Sequence, residues 1–197
     1  FNMPIGSWNT GNVTGMFAMF QDAPAFNQPI GNWSTANVTT MEQMFYNATS
    51  FNQPIGNWNT VAVTTMRYMF NNATSFNQNL GTWPINSSVN LSNMLDNCGI
   101  DCSHYSATLI GWNNNPFTSN GRILGATGRQ YGLGAVTARE NLTLVKGWTI
   151  NGDEASGSDC TAFITTWKTD NAGSSNNTSI NIPTNGGGYN YDVDWNN

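Results

Sequence analysis

"FNQPIGNWNT" at residues 51–60 nearly copies "FNQPIGNWST" at 26–35 and "FNMPIGSWNT" at 1–10. These segments lie 25 residues apart, and a fourth copy, "FNQNLGTWPI", begins at Phe76. A fixed period of about 20–50 residues is typical of arrays in which neighbouring units bury each other's apolar face. We therefore expect four repeat units of 25 residues in the region 1–100.

Apolar residues recur at matching positions of the four units. The clearest columns are Phe1, Phe26, Phe51 and Phe76; Ile5, Ile30, Ile55 and Leu80; Trp8, Trp33, Trp58 and Trp83; and Met19, Met44, Met69 and Met94. A polar column, Asn2, Asn27, Asn52 and Asn77, accompanies them. Identical residues in stacked units form ladders, so we expect these asparagines to hydrogen-bond from unit to unit.

Within one unit, the spacing of the apolar residues differs between the first half and the second half. Val38, Met41 and Met44 have the spacing of one face of a short helix. The preceding IGNW segment follows a proline, and we expect a short strand to start there because proline cannot donate to a ladder. One strand and one short helix per unit predict an α/β fold, a leucine-rich-repeat-like solenoid.

The repeat pattern is lost after residue 96, where other elements are predicted. We expect a helix at 103–112, a strand at 122–126, a helix at 135–147 and a last strand at 148–152. Residues 101–152 would then form a C-terminal α/β cap on the solenoid, and 153–160 have the composition of a linker. Residues 161–197 alternate like a small β segment that opens a next module.

The unit FNQPIGNWNT…VTTMRYMFNNATS and the later segments YSATLIGW, LGATGRQY and KGWTINGD carry a resemblance. Over residues 1–153 the chain resembles BspA-type leucine-rich-repeat surface proteins of bacteria. The resemblance implies export, display on the bacterial cell surface and adhesion, within a longer tandem-module chain of which this sequence is a fragment. It supplies no catalytic residue. Many relatives have a cysteine where this chain has Gly132.

The charge of the chain argues against two classes of partner. Charged residues make up 9% of the sequence, with 6 basic against 11 acidic side chains and a formal net charge of −5. Nucleic-acid binding needs clustered Lys and Arg, so no nucleic-acid partner is expected. The sequence contains no apolar run of about 18 residues, so we expect no membrane insertion by this fragment.

Residues that differ between equivalent positions of the units distinguish two candidate functions. Tyr46, Arg67 and Tyr68 break the repeat, and we take them as candidate ligand-binding residues of an extracellular adhesion module. Its partner would be a protein or glycan on a host or neighbouring cell. The alternative is a structural spacer or stalk of a surface filament, which contacts adjacent modules of the same chain and has no ligand of its own.

One metal site is suggested near the end of the chain. Asp192, Asp194 and Asn196 alternate as in the opening of a calcium-binding loop, but the later ligands of such a loop are missing. Ca²⁺ is therefore expected only in an intact next module, and no other cofactor is predicted.

The cysteines and the histidine offer little further chemistry. Cys98 and Cys102 are the expected disulfide, because Gly99 between them allows a tight turn, which leaves Cys160 free or paired outside the fragment. An extracellular location permits either arrangement. His104 is the only histidine, and no nucleophile pattern surrounds any serine, so we expect no enzyme.

Overall fold

The computed structural model describes residues 1–160, which belong to the compact unit Phe1–Thr161. Its regular elements follow residue 101: α1 (Cys102–Asn114), β1 (Ile123–Tyr131), α2 (Val136–Glu140) and β2 (Thr149–Ala155). A 3-10 turn, Leu133–Ala135, precedes α2, and a π-helical turn, Asn141–Val145, follows it. β1 and β2 form a two-stranded parallel sheet. No helix within 1–160 has the length and apolar character needed to cross a bilayer.

The predicted fold class, a leucine-rich-repeat-like solenoid of strand-plus-helix units, is wrong. In residues 1–100 the structure has neither an α-helix nor a strand longer than an isolated bridge. Consecutive turns replace the expected helix: Met44 N donates to Met41 O at 3.2 Å, and Ala48 N donates to Phe45 O at 3.0 Å. The third residue of the first turn, Gln43, has a φ of 57°. A left-handed residue ends a right-handed helix but suits the third position of a type II turn.

The left-handed positions recur in every unit and explain the error. They form two columns: Ala18, Gln43, Tyr68 and Asn93, then Asp22, Asn47, Asn72 and Asn97. Asparagine in the second column is the expected choice, because it tolerates the left-handed region better than most residues. Successive turns closed by hydrogen bonds between residues three apart, such as Met41 with Met44 and Phe45 with Ala48, bring every third or fourth side chain to the same side. The apolar spacing therefore resembled that of a helix.

Backbone groups that a helix would pair internally are paired between units. Met41 N donates to Thr65 O and Phe45 N donates to Met69 O, both at 2.9 Å. Isolated parallel bridges join the units in sequence: Gly15 to Thr40, Thr40 to Thr65, and Thr65 to Asn90. The four units therefore stack with equivalent residues in register.

Two side-chain ladders run along the same stack. The indole Nε1 of Trp33, Trp58 and Trp83 donates to the carbonyl of Ile5, Ile30 and Ile55 respectively, at 3.1–3.2 Å. The asparagine ladder is confirmed: Asn27 N donates to Asn2 Oδ1, and the same bond recurs from Asn52 and Asn77, at 2.9–3.0 Å. Each unit thus supplies partners for polar groups in its neighbour. The indole bonds are buried, where polar groups require partners, and the asparagine bonds lie nearer the surface.

The core consists of stacked aromatic and methionine columns. The rings of Phe26 and Phe51 lie 5.8 Å apart between units, and Phe45 stacks on Phe51 at 3.9 Å. Met44 and Met69 are fully buried, whereas Met19 in the first unit is 38% exposed. Burial of each apolar face therefore requires the neighbouring unit.

The region after residue 101 continues the stack. Leu91 bridges to Leu124 of β1, and Leu95 N donates to Gly125 O at 2.9 Å. Trp112 of α1 donates its indole N–H to Leu80 O at 3.0 Å, which extends the tryptophan ladder from a helix. The helix predicted at 103–112 and the strands predicted at 122–126 and 148–152 are confirmed by α1, β1 and β2.

Substituting Trp58 by Phe tests the tryptophan ladder. Trp58 is 3% exposed, and its indole supplies one of two hydrogen bonds that Ile30 O accepts, the other coming from Trp33 N. We expect the lost bond and the cavity to lower the free energy of unfolding by about 1–3 kcal/mol, measured by guanidinium denaturation. The matched control is Trp8→Phe, because Trp8 is 53% exposed, with an expected change below about 0.5 kcal/mol. Equal losses would contradict a structural role for the buried bond.

Acid should weaken the start of α1. Asp101 accepts hydrogen bonds from His104 N at 2.8 Å and from Asn77 Nδ2 at 2.7 Å. Partial burial acts to raise the pKa of Asp101, but hydrogen bonds from His104 and Asn77 outweigh it, so the pKa is lower than the ordinary 3.8. Since folding lowers this pKa, its stabilising contribution is present above pH 3.8 and is lost as pH falls through the folded value.

We expect Asp101→Asn, which keeps an acceptor for His104 N, to lose less stability than wild type as the pH falls below 3.8. Thermal unfolding at a series of pH values measures the difference. Glu154→Gln is the control, because Glu154 is exposed and its carboxylate has no hydrogen-bond partner within residues 1–160. An acid-induced loss as large in Asp101→Asn as in wild type would refute the role of the carboxylate.

Candidate functional site

The three residues that break the repeat lie together. The rings of Tyr46 and Tyr68 meet edge to face, with centroids 6.2 Å apart and an interplanar angle of 85°. The guanidinium carbon of Arg67 lies 4.9 Å from the centroid of the Tyr68 ring, within the range of a cation–π contact. The second and third units thus present two aromatic rings and one cation at a single place.

Glu42 completes this group, and sequence reasoning missed it. Arg67 Nη1 lies 3.9 Å from Glu42 Oε1, and Thr65 Oγ1 donates to Glu42 Oε2 at 3.1 Å. The signal was available, because Glu42 precedes Arg67 by one repeat period of 25 residues. We call Glu42, Tyr46, Arg67 and Tyr68 the tyrosine cluster. With side chains 26% and 47% exposed, this ion pair adds little stability, so its main effect is to orient Arg67.

The backbone under Tyr68 is in an unfavourable conformation for a bulky side chain. Tyr68 has a φ of 57°, and the equivalent position of the fourth unit holds Asn93, a residue suited to that region. A non-glycine residue in the left-handed region costs about 1–3 kcal/mol. The stack imposes the conformation, since Tyr68 N donates to Ser92 O at 3.1 Å. Ala18 and Gln43 hold the same left-handed position in the first two units, so the conformation belongs to the stack and the side chain placed on it is what differs at Tyr68.

The tyrosine cluster has the chemistry of a recognition surface. Tyr46 and Tyr68 are partly exposed, and neither phenol oxygen has a hydrogen-bond partner among residues 1–160. The rings offer apolar faces, the hydroxyls donate and accept, and Arg67 adds a cation whose planar group bonds carboxylates and carbonyls. Such residues are enriched where proteins bind their partners.

The cysteines pair differently from the sequence expectation. Cys102, the first residue of α1, is bonded to Cys160, and Cys98 is a free thiol that is 3% exposed. The expected Cys98–Cys102 bond is not formed because Cys98 faces the core, whereas Cys102 opens a helix that turns towards the segment after β2. Burial raises the pKa of the Cys98 thiol, which keeps it protonated.

Two further candidates from the sequence are the suggested calcium site and His104. Asp192, Asp194 and Asn196, the suggested calcium ligands, lie outside the described residues. Within residues 1–160 no three His, Cys, Asp or Glu side chains come together as a metal site would need. His104 is paired with the helix-capping Asp101, through Nδ1 at 3.0 Å from Oδ1.

Thiol chemistry tests the cysteine assignment. The chain has three cysteines, so one free thiol should be titrated in the denatured, unreduced protein. Cys102→Ser opens a loop of sequence separation 58, which we expect to lower the free energy of unfolding by about 4 kcal/mol on loop-closure grounds. Cys98→Ala is the control and should leave the disulfide intact. A peptide containing Cys98 linked to Cys102 by mass spectrometry would contradict the assignment.

Comparison with known proteins identifies one similarity. The family model described as "Mycoplasma protein of unknown function, DUF285" matches residues 1–112, which include the four units and most of α1. No curated protein and no solved structure matches the chain.

Proposed function

We propose that this chain, which belongs to the DUF285 family, is a non-enzymatic module displayed on the bacterial cell surface, where it recognises a protein or a glycan. The family description carries no function, so the proposal depends on the surface of the repeat units. It assigns the tyrosine cluster as the contact site, and the partner as a molecule on a host or neighbouring cell.

The observation that carries the proposal is the tyrosine cluster. Tyr46, Arg67 and Tyr68 depart from the residues at equivalent positions in other units, and the Tyr68 ring lies 6.2 Å from the Tyr46 ring and 4.9 Å from the Arg67 guanidinium carbon. A stack built only for length needs no aromatic or cationic side chain at these positions, which other units fill with residues such as Ala18, Asn71 and Asn93. A local group of two partly exposed aromatic rings and an exposed cation is typical of a binding site.

Two further features support an extracellular location. A disulfide joins Cys102 to Cys160, and such bonds persist in oxidising compartments outside the cell. The scarcity of charged side chains, 9% of the sequence, also fits the secreted repeat proteins that the sequence resembles. The resemblance to BspA-type surface proteins points in the same direction and remains a prediction.

The alternative is a spacer with no ligand of its own. The regular ladders favour a spacer, because the same tryptophan and asparagine hydrogen bonds recur from unit to unit and join only residues of this chain. The two functions differ in one respect: recognition requires the tyrosine cluster, and a spacer does not.

Binding measurements distinguish recognition from a spacer role when each variant carries the residue that another unit has at the same repeat position. We would apply the fluorescently labelled 197-residue chain to a glycan array, with calcium and with chelator, and to cells before and after protease treatment. We expect reproducible binding that falls about tenfold or more in Tyr68→Asn and in Tyr46→Asn. These variants place asparagine where Asn93 and Asn71 stand in other units, so the stack should be preserved.

Ala18→Asn is the matched control, since Ala18 occupies the same left-handed position as Tyr68 in the first unit. It should bind as the wild type does. Binding that survives both tyrosine substitutions would reject the tyrosine cluster as the site. No binding to any array or cell surface would favour the spacer.

A further inference from the structure

A groove of about 890 Å³ lies where the third and fourth units meet the loop that follows α1. Val61, Pro84 and Ser87 line it from the units, and Asn115, Phe117 and Ser119 line it from the loop. Ligand pockets commonly enclose roughly 300–1,000 Å³, so the groove is large enough for a small ligand. It shares no residue with the tyrosine cluster.

The groove exposes apolar side chains that the fold does not require. Phe117 is 74% exposed and Val61 is 60% exposed. The position of Val61 is held by Gly11, Ala36 and Asn86 in the other units, so a larger apolar residue stands there only in the third unit. Apolar surface gathered in a groove, rather than scattered, marks a binding site.

The loop that carries Phe117 is held in place before any ligand binds. Phe117 N donates to Asn115 Oδ1 at 2.9 Å, and Ser119 N donates to Ile85 O at 2.7 Å. Trp148 donates its indole N–H to Ser119 O at 2.8 Å. A ligand would therefore lose little binding energy to the ordering of this loop.

Unused polar groups surround the apolar surface. The side-chain amide nitrogens of Asn114 and Asn115 and the hydroxyls of Ser87 and Ser119 have no hydrogen-bond partner within residues 1–160. None of the residues lining the groove carries a charge. Two basic side chains beside the groove are engaged with backbone oxygens: Arg122 Nη1 donates to Ser87 O at 2.6 Å, and Lys146 Nζ donates to Thr118 O at 3.2 Å. A wholly apolar ligand would cover the amide and hydroxyl donors of the groove without replacing their bonds to water.

We propose that this groove binds a neutral saccharide. A sugar ring has an apolar C–H face and a rim of hydroxyls, which matches an exposed aromatic ring bordered by amides and hydroxyls. The Phe117 ring packs against the C–H face of the sugar. The amide nitrogens of Asn114 and Asn115 donate to ring hydroxyls, and Ser87 and Ser119 bond the remaining ones. The groove is thus a second recognition site, and its assignment does not depend on the tyrosine cluster.

The test uses the whole chain and a defined set of probes. Linear neutral hexasaccharides of glucose, mannose and xylose are titrated into the chain and followed by calorimetry, with decaproline as an apolar peptide probe. We expect at least one hexasaccharide to bind and Phe117→Ala to weaken that binding about tenfold or more. Asn115→Asp, which keeps the acceptor for Phe117 N but removes the amide donor, should also weaken it.

Leu144→Ala is the matched control, because Leu144 is 80% exposed and lies outside the groove, and it should bind as wild type does. The thermal midpoint of each variant shows that the chain is folded. Failure of every hexasaccharide to bind at millimolar concentration would overturn the proposal. It would also be overturned if Phe117→Ala weakened the binding of decaproline but not that of any hexasaccharide. Saccharide binding lost in Tyr68→Asn but retained in Phe117→Ala would assign it to the tyrosine cluster and overturn the groove.

Discussion

Hydrogen bonding between neighbouring units is the interaction on which the rest of the structure depends. The turns of one unit leave backbone groups such as Phe45 N directed at the next unit, where Met69 O accepts. Side chains join the units as well: the indole Nε1 of Trp58 donates to Ile30 O of the preceding unit, and Asn27 Oδ1 accepts from Asn52 N of the next unit. An unpaired buried polar group is costly, so a single unit cannot fold on its own, and the stack forms in one register.

That register also determines what the surface displays. Tyr46 and Tyr68 belong to different units and different columns, yet stacking brings their rings into edge-to-face contact. Glu42 and Arg67 occupy the same column and therefore meet as an ion pair. Departures from the repeat therefore change the local surface chemistry while the core of the stack stays the same.

The C-terminal elements end the stack and make the same kinds of hydrogen bond to the fourth unit as the repeat units make to one another. Trp112 reproduces the indole bond from an α-helix, and β1 pairs with the fourth unit through Leu91 and Leu124. A partly buried ion pair, Arg139 with Asp153, lies in the same region, where Asp153 also accepts from Tyr105. The Cys102–Cys160 bond ties α1 to the residues after β2. The loop bearing Phe117 is part of this ending, so the groove exists only where repeat and end region meet.

The sequence by itself determined the period, the apolar columns, the asparagine ladder and the later elements, because each depends on residue type at a regular spacing. It also singled out Tyr46, Arg67 and Tyr68, since departures from a repeat are visible without coordinates. Only the tertiary structure decided between helix and turns in each unit, because both produce the same apolar spacing and differ in whether backbone bonds stay local. The partner of Cys102, the contact of Glu42 with Arg67 and the groove beside Phe117 were likewise decided by tertiary packing, which joins residues distant in the chain.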